Sequence, residues 1–417
     1  MAQTVLNIDM LTNESLVKFK NRLKLGGVAD RQYDDSFGKK GAKIGDTLRV
    51  REPVRMKAAL GRALQVNTIT EKQRPITVAT QQQVSWPFNS SDMSLSLDEY
   101  SERYIEPAVI ELASVVDIAG HNAALAGVYN LLNGGSVTNP NTAGAWLAAK
   151  AVLNSYSVPS ETGLVGLINE PTEADLVDGL KGLFQSSSAL AAQYTKGEMK
   201  TALGVDFMMT QNIPKFTTGT ATSLGTINGT VISGNSVAVT GGTASGTVPA
   251  GTVFTVAGVF QYNLAARTTT SRLQQFVVTT AVTLNGSGAG TLAVQPEIVT
   301  SGNYQNMTTA GLVSTAATSL TGGGLGYAIA AGQGGSGNVA SQVYGRNWLL
   351  NPKAIALVTA DLPMVSAPEV SIKRGEGLSM RLLRMYDPAS DQEIFRMDIL
   401  FGWALMRPEW MIGLGGS

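Results

Sequence analysis

Few residues in this chain have the types and spacing that catalysis or metal binding requires. The chain has one histidine, His121, and no cysteine. A transition-metal site would therefore depend on carboxylates. The nearest group, Asp30, Asp34 and Asp35, lacks the glycine and the terminal glutamate of a calcium-binding loop. We expect His121, inside a long apolar helix, to be structural or solvent-facing.

Motifs for nucleophilic or phosphate chemistry are also missing from the sequence. It contains no G-x-S-x-G elbow, and the glycine-rich stretches at 322–328 and 332–337 lack the Gly-Lys-Ser/Thr of a phosphate loop. Paired carboxylates for glycoside hydrolysis remain open, although five scattered tryptophans make a poor sugar platform. The sequence favours a protein that is not an enzyme, with no catalytic residue, cofactor or metal.

The distribution of charge divides the chain. Of the 130 residues from 216 to 345, only Arg267, Arg272 and Glu297 are charged, whereas the flanking sequence has ordinary charge density. This indicates an inserted module within an interrupted domain. Residues 1–74 carry fifteen Lys/Arg against eight Asp/Glu, and 92–131 carries seven acids and one base, Arg103. This asymmetry suits contacts between copies of the chain, or two solvated faces of opposite sign.

The sequence shows no targeting or membrane signal. The N-terminus has no basic region followed by an apolar stretch, and no run of 18 apolar residues occurs. The formal net charge of +0 argues against a free-standing nucleic-acid-binding protein. We expect a soluble protein made in the cytoplasm.

The N-terminal half predicts a helix, a hairpin and a second, longer helix. Residues 12–25 form a basic amphipathic pattern, capped at Thr12 or Asn13 and ended by Gly26-Gly27. Strand patterns at 47–51 and 76–88 enclose about two dozen residues whose charged side chains are mostly basic, which predicts a long hairpin ordered by a neighbour.

The longest predicted helix covers 98–133. Its regular part begins near Glu106, because Pro107 fits only a first turn, and Asn133-Gly134-Gly135 closes it. Its apolar stripe follows 4-3-4-3 spacing through Ile105, Val109, Leu112, Val116, Ala119, Ala123 and Ala126.

The remainder predicts an α/β region interrupted by β structure. Outside the insert the predicted elements are helix 143–156, strand 164–168, a helix from Pro171 to about Phe184, and strands at 203–213, 349–358, 380–385 and 393–406. Inside it, Val253–Val259, Gln275–Leu284 and Thr291–Val299 predict a small barrel or sandwich. The glycine-rich tail at 310–343 favours a flexible loop.

Three stretches resemble the major capsid protein of tailed bacteriophages. They are Gly204–Phe207 through Asn212–Lys215, Val248–Val259, and Gly402–Glu409 with its terminal Arg-Pro-Glu. The closest resemblance is to the coat proteins of short-tailed Salmonella phages, which carry an inserted β-barrel. The resemblance implies an α+β fold of the Hong Kong 97 type with an inserted all-β, barrel-like domain.

The resemblance also implies an organisation in six parts. These are an N-terminal arm (1–46), an extended E-loop hairpin (47–91), a spine helix with peripheral domain (92–139), an axial domain (140–215), the insert with its glycine-rich tail (216–343), and the return to the axial and peripheral domains (344–417). The insert is shorter and less charged than the barrel of the resembled subfamily, so charge-based contacts of that barrel are not carried over. We expect a fragment of about 216–310 to fold alone.

As implied partners, the resemblance gives copies of the chain itself in hexamers and pentamers, a separate scaffolding protein, a portal, and packaged double-stranded DNA in weak non-specific contact. No membrane is implied. The location would be the virion, with assembly in the bacterial cytoplasm. No long helical prefix precedes the arm, so a fused scaffolding segment is not expected.

Two sets of charged residues are candidates for intersubunit contact. Each hairpin would place its cations against the acidic helix of a neighbour; the residues are Arg49, Arg51, Arg55, Lys57 and Arg62, opposite Glu99, Glu102, Glu106 and Glu111. The arm would face the scaffolding protein through Lys18, Lys20, Arg22 and Lys24. We expect deletion of the arm helix to impair assembly before folding.

Two other function classes stay open. One is a different phage structural protein, such as a tail or decoration component with an adhesive β insert. The other is a β-rich enzyme that acts on polysaccharides.

Overall fold

The structure is a computed structural model. It describes residues 8–31, 46–52, 54, 56, 58, 61, 62, 64, 66, 71–89, 101–133, 139–159, 161–180, 201–227, 234–263, 266–309, 340–363, 369–387 and 392–416. The helices are α1 Ile8–Arg22, α2 Leu25–Val28, α3 Glu106–Gly127, α4 Ala143–Ser155 and α5 Glu170–Leu180, with a π-helical turn at Ser101–Ile105.

The strands of the described residues belong to sheets of two to seven members. In chain order they are β1 Asp46–Arg51, β2 Gln73–Val78, β3 Thr80–Asn89, β4 Leu131–Leu132, β5 Leu164–Ile168, β6 Thr201–Ala202, β7 Val205–Met209, β8 Lys215–Thr217, β9 Thr226–Ile227, β10 Gly234–Thr240, β11 Thr247–Val248, β12 Val253–Asn263, β13 Thr268–Val278, β14 Val282–Thr283, β15 Gly290–Ile298, β16 Met307–Thr309, β17 Val343–Leu350, β18 Ile355–Ala360, β19 Glu369–Gly375, β20 Leu378–Asp387, β21 Gln392–Leu405 and β22 Met411–Gly416.

The chain forms two compact units, each made of discontinuous segments. Unit 1 contains Met1–Glu52, Glu71–Gly120 and Ile355–Met406, and unit 2 contains Pro53–Thr70, His121–Ala354 and Arg407–Ser417. The mixture of helices and sheets agrees with the expected α+β class.

Unit 1 is built on a five-stranded sheet with the order β18-β21-β20-β19, in which β3 also pairs with β21 over ten residue pairs. The predicted strands at 47–51 and 76–88 are both present. The first pairs with β2 in an antiparallel ladder from Asp46↔Val78 to Arg51↔Gln73, while β3 continues into the main sheet. The two predicted strands therefore do not simply pair with each other.

The arm helix differs from its prediction at both ends. It includes Ile8, so Thr12 is not its cap: Thr12 is buried, and its Oγ1 donates to the Ile8 carbonyl at 2.6 Å. The two glycines that were expected to end the helix lie in α2 instead. The predicted apolar face is correct, because Leu16, Phe19 and Leu23 are buried. Helix α1 packs on β19 and β20.

The long helix is shorter than predicted. It ends at Gly127 because the following chain turns into β4, which pairs in parallel with β22. The first four stripe positions are buried, whereas Ala119, Ala123 and Ala126 are only half-buried and Ala124 is fully buried in their place. A strict heptad spacing drifts by about 20° per heptad on a 3.6-residue helix, so the buried face moves away from the predicted stripe.

Unit 2 contains a seven-stranded sheet with the order β4-β22-β17-β5-β7-β6, in which β8 also pairs with β17. The predicted strand 164–168 is confirmed as β5, and it pairs with β7 on one side and β17 on the other. Strands from before and after the charge-poor segment therefore lie in one sheet. The predicted strand 349–358 is wrong: Pro352 opens a 3-10 turn that separates β17 from β18, and the two strands belong to different sheets.

The charge-poor segment forms the six-stranded sheet β16-β12-β13-β15-β10-β9 and the two-stranded sheet β11-β14. It has its own apolar core, which includes Phe254, Phe276, Leu292 and Met307. The predicted strands are present as β12, β13 with β14, and β15. Most of the glycine-rich tail lies outside the described residues, as do the predicted ends of the helices at 98–100 and 181–184.

Candidate assembly surfaces

The base of the hairpin has one apolar face and one polar face. Leu48 and Val50 pack against a core that includes Ile76 and Val78, while Thr47, Arg49 and Arg51 alternate with them on the exposed side. This period-two pattern follows from the geometry of a strand. The sheet therefore fixes the base of the hairpin and presents its two arginines to solvent.

A glycine allows β2 to cross β21 at very short distance. A Cβ at Gly402 would lie 2.2 Å from the Thr77 carbonyl oxygen and 3.1 Å from the Val78 Cα. No side chain fits in that space, because real Cβ atoms essentially never approach backbone so closely. Gly402 thereby sets the position of the hairpin on the sheet.

Three of the five hairpin cations predicted to contact a neighbour are described, and all three are solvent-exposed. Arg49, Arg51 and Arg62 are exposed, and Arg51 forms one exposed ion pair, 3.5 Å from Glu71. Arg55 and Lys57 lie outside the described residues. Beyond the hairpin base, three apolar side chains are also exposed: Met56 at 57%, Leu64 at 91% and Val66 at 83%. The last two are the most exposed large apolar side chains in the described part of the chain.

The predicted acidic face is divided between solvent and the arm. Glu102 and Glu111 are exposed and form no ion pair among the described residues. Glu106 instead binds its own arm helix, 2.5 Å from Arg22 and 3.8 Å from Lys18. Glu99 lies outside the described residues. Glu106 is therefore already paired within its own chain. Of the four predicted acids, Glu102 and Glu111 are the two that the structure describes as exposed and without an ion pair.

The arm cations also bind their own chain. Lys18 donates to Ser101 Oγ at 2.8 Å and lies 3.4 Å from Glu14. Lys20 pairs with Glu376, and this hydrogen bond lowers the pKa of the Glu376 carboxyl. Lys18, Lys20 and Arg22 thus hold the arm to the rest of unit 1. Lys24, the fourth residue expected to face a scaffolding protein, is exposed.

A buried carboxylate joins the arm to helix α3. Asp117 accepts from the backbone N–H of Lys24 at 2.7 Å and of Gly26 at 3.0 Å, at the start of α2. Desolvation raises the pKa of Asp117, and these backbone hydrogen bonds oppose that shift. This contact helps to explain why α2 continues through Gly26, because the Gly26 N–H has a buried partner.

His121 is fully buried. Neither of its ring nitrogens has a hydrogen-bond partner among the described residues, and burial lowers its pKa to about 3. The ring is therefore neutral at physiological pH. Of the two roles expected for His121, structural or solvent-facing, its burial agrees with the structural one.

No group of three or more potential metal ligands occurs in the part of the chain that the structure describes.

The insert leaves and rejoins the body on paired strands. β8 pairs with the start of β17 through Val343↔Thr217 to Gly345↔Lys215. Beside this root, Arg346 is 1% exposed and donates to the Gly251 carbonyl with both terminal nitrogens at 3.1 Å. Its guanidinium stacks over Phe216 at 4.6 Å from the ring centre. This arrangement fixes the Gly251 turn of the insert to the root.

A glutamine fastens the insert sheet to the chain after α3. The side-chain amide of Gln275 accepts from Leu131 N–H at 2.9 Å and donates to Leu131 O at 2.8 Å, as a paired strand would. Around it, Tyr129, Leu131, Val253 and Val277 form a small buried cluster. Nearby, Gln261 donates to Ser155 Oγ at 2.8 Å.

Sequence reasoning did not identify the contacts made by Asp117, Gln275, Arg346 and Gly402. The only signal was chemical: a charged or amide side chain within an otherwise apolar pattern needs a buried partner. The sequence does not show which backbone group supplies that partner.

The segment Ser101–Gly127 is long and apolar enough to pass a length-and-composition test for a membrane span. Half of its most apolar window is buried inside the protein, as in a core helix of a folded domain. Its buried side includes Val109, Leu112 and Val116, which pack within the protein.

No protein-family model and no curated protein matches the sequence. Similar solved structures include a chain from Mycobacterium phage Che8, 11% identical with a TM-score of 0.48, covering 95% of this chain and 92% of that one. The capsid of cyanophage P-SCSP1u is 11% identical at TM-score 0.44, covering 89% and 84%. The capsid of Ralstonia phage GP4 is 8% identical at 0.45, covering 90% and 84%. At TM-scores below 0.5 these similarities assign no function to this chain.

Proposed function

We propose that this chain is the major capsid protein of a tailed bacteriophage, of the Hong Kong 97 type, and that its copies close into an icosahedral shell. The observation that carries the proposal is the hairpin. Its base is fixed in the sheet, whereas Leu64 and Val66 are 91% and 83% exposed. Apolar side chains displayed in this way favour coverage by another molecule. A second copy of the chain is the occupant that repeats this contact around a closed shell.

Charge complementarity supports the same partner. Arg49, Arg51 and Arg62 are exposed on the hairpin, and Glu102 and Glu111 are exposed near the start of the long helix. A single exposed ion pair contributes only about 0–1 kcal/mol. Repetition around a shell multiplies such contributions, and like charges in a wrong register oppose it.

We propose that the arm also has a structural role, in addition to the expected contact with a scaffolding protein. Leu11, Leu16 and Phe19 are buried at 5% exposure or less, and the arm cations pair within unit 1. Deletion of the arm helix would therefore remove core side chains, each contributing about 2–5 kcal/mol. We propose that it impairs folding together with assembly. Scaffolding protein, portal and DNA remain proposed partners, with Lys24 as the exposed arm cation that would meet them.

The test is the double variant Leu64→Asp/Val66→Asp, compared with Leu147→Asp, which places a single carboxylate at an exposed apolar position on α4. We expect the double variant to remain folded, because both side chains are solvated in the protomer. It should fail to form shells in negative-stain microscopy and sedimentation. Closed shells formed by the double variant as readily as by wild type would contradict the proposed role of the hairpin.

A further inference from the structure

The turn between β12 and β13 of the insert carries Arg267, one of the three charged residues of the charge-poor segment. The described residues around it are joined by hydrogen bonds. Tyr262 Oη donates to the Arg267 carbonyl at 2.8 Å, and Ala266 N–H donates to Asn263 Oδ1 at 3.0 Å. The Arg267 backbone has a φ of 54°, in the left-handed region. The turn therefore presents the guanidinium from a fixed backbone.

The guanidinium binds the hairpin. Arg267 Nη2 donates to the Met56 carbonyl at 2.8 Å, and Nη1 lies 3.4 Å from the Asn303 carbonyl. It forms no ion pair with any carboxylate of the described residues. Its partners are backbone carbonyls, and one of them belongs to the hairpin of the same chain. The Met56 side chain remains 57% exposed, so the contact uses the backbone alone.

The chemistry of this contact makes it weak and reversible. It is exposed to solvent, and the sequence places two cations, Arg55 and Lys57, on either side of Met56. The residues on either side of Met56 in the sequence therefore supply no counter-charge to the guanidinium. The guanidinium of Arg346 also binds a backbone carbonyl, but that contact is buried, whereas the contact between Arg267 and Met56 is exposed to water and therefore weaker. The geometry fits a contact that forms in the free protomer and is given up when the hairpin gains better contacts.

We propose that Arg267 is an intramolecular latch, which holds the hairpin of an unassembled protomer against its own insert until the hairpin docks on a second copy. This inference rests on the proposed shell function. Only a protomer whose hairpin is released can bind a second copy through it. The apparent affinity between copies therefore falls in proportion to the released fraction. The latch would thus suppress association at low concentration.

The experiment uses the full-length chain below its assembly concentration, with the variants Arg267→Gln and Lys215→Gln. Lys215 is the matched control, because it is an exposed cation of the same unit and contacts the hairpin nowhere in the described residues. Limited trypsin digestion with mass spectrometry gives the cleavage rates after Arg55, Lys57 and Arg62. We expect R267Q to be cleaved there at least about threefold faster than wild type and K215Q, with an unchanged melting temperature.

A second measurement follows assembly against concentration by light scattering. R267Q should assemble at a lower concentration than wild type, by about the factor seen in trypsin cleavage. Equal cleavage rates in R267Q and wild type would overturn the latch. The shell function is judged separately: if wild type never forms closed particles, that proposal fails, whereas the cleavage comparison still decides the latch.

Discussion

Gln275 is predicted to attach the insert to the body through one amide group. The variant Gln275→Leu keeps the approximate volume of the side chain but removes both hydrogen bonds to Leu131, at 2.9 and 2.8 Å. The Leu131 N–H and C=O are buried and would lose these partners. Each unsatisfied buried group costs about 1–3 kcal/mol. Burial of the more apolar leucine side chain offsets about 1 kcal/mol of that cost. The expected loss is about 1–5 kcal/mol.

The assay is hydrogen exchange at the Leu131 amide, which reports local opening. A loss of about 1–5 kcal/mol corresponds to an exchange rate at least roughly fivefold faster in Q275L. The control is Gln305→Leu, because the Gln305 side-chain amide donates to the Met307 carbonyl, two residues further along, and its loss leaves the hydrogen bonds between Gln275 and Leu131 intact. Unchanged protection of Leu131 in Q275L would refute the reasoning, since the amide would then be held by other contacts.

Three further predictions concern unit 1 and the long helix. Gly402→Ala places a Cβ 2.2 Å from the Thr77 oxygen, so it should cost about 2 kcal/mol or more in thermal unfolding, whereas Gly27→Ala, with nothing within 4 Å, should cost none. Burial raises the pKa of Asp117 above 3.8 in the folded state. The contribution of this carboxyl to the free energy of unfolding is therefore largest below pH 3.8 and is lost as the pH rises through the folded-state pKa. Relative to Asp117→Asn, wild type should lose stability over that pH range. Burial lowers the pKa of His121 from 6.5 to about 3, so wild type should lose roughly 5 kcal/mol relative to His121→Phe as the pH falls between those values, and a parallel pH dependence of the two proteins would contradict the burial argument.

Local pattern predicted much of the secondary structure. Strand 164–168, helix α4 to within one residue, and three insert strands follow from apolar runs, turn residues and β-branched composition. The errors have physical causes. The spine helix ends six residues before the predicted Asn133, because β22 offers β4 a parallel ladder that no local signal encodes.

The candidate site was only partly predictable. Charge asymmetry identified the basic hairpin and the acidic helix, but it did not show that Glu106 pairs with Arg22 of the same chain. Asp117, Gln275 and Arg346 each bind backbone groups far away in sequence, so their partners depend on the tertiary fold. Gly402 shows the same limit, because the short approach of Thr77 follows from how two elements cross.

The insert combines an independent core with a polar attachment. Its core includes Phe254 and Phe276, which supports the prediction that a fragment of about 216–310 folds alone. In such a fragment Gln275, Val253 and Val277 would lose the partners that they have beside Leu131. We expect a folded fragment of reduced stability, measurable as a dispersed amide spectrum with a lower melting temperature. A collapsed, undispersed spectrum would contradict this expectation.

Whether the hairpin contacts a different copy of the chain can be measured directly. The sequence has no cysteine, so Leu64→Cys introduces a single thiol for a photocrosslinker. Particles assembled from an equal mixture of ¹⁵N-labelled and unlabelled protein are then irradiated and digested. Assembly by tiling predicts crosslinked peptide pairs that combine both isotopes. Pairs that always carry a single isotope would show that the hairpin contacts only its own chain, and the central claim would be wrong.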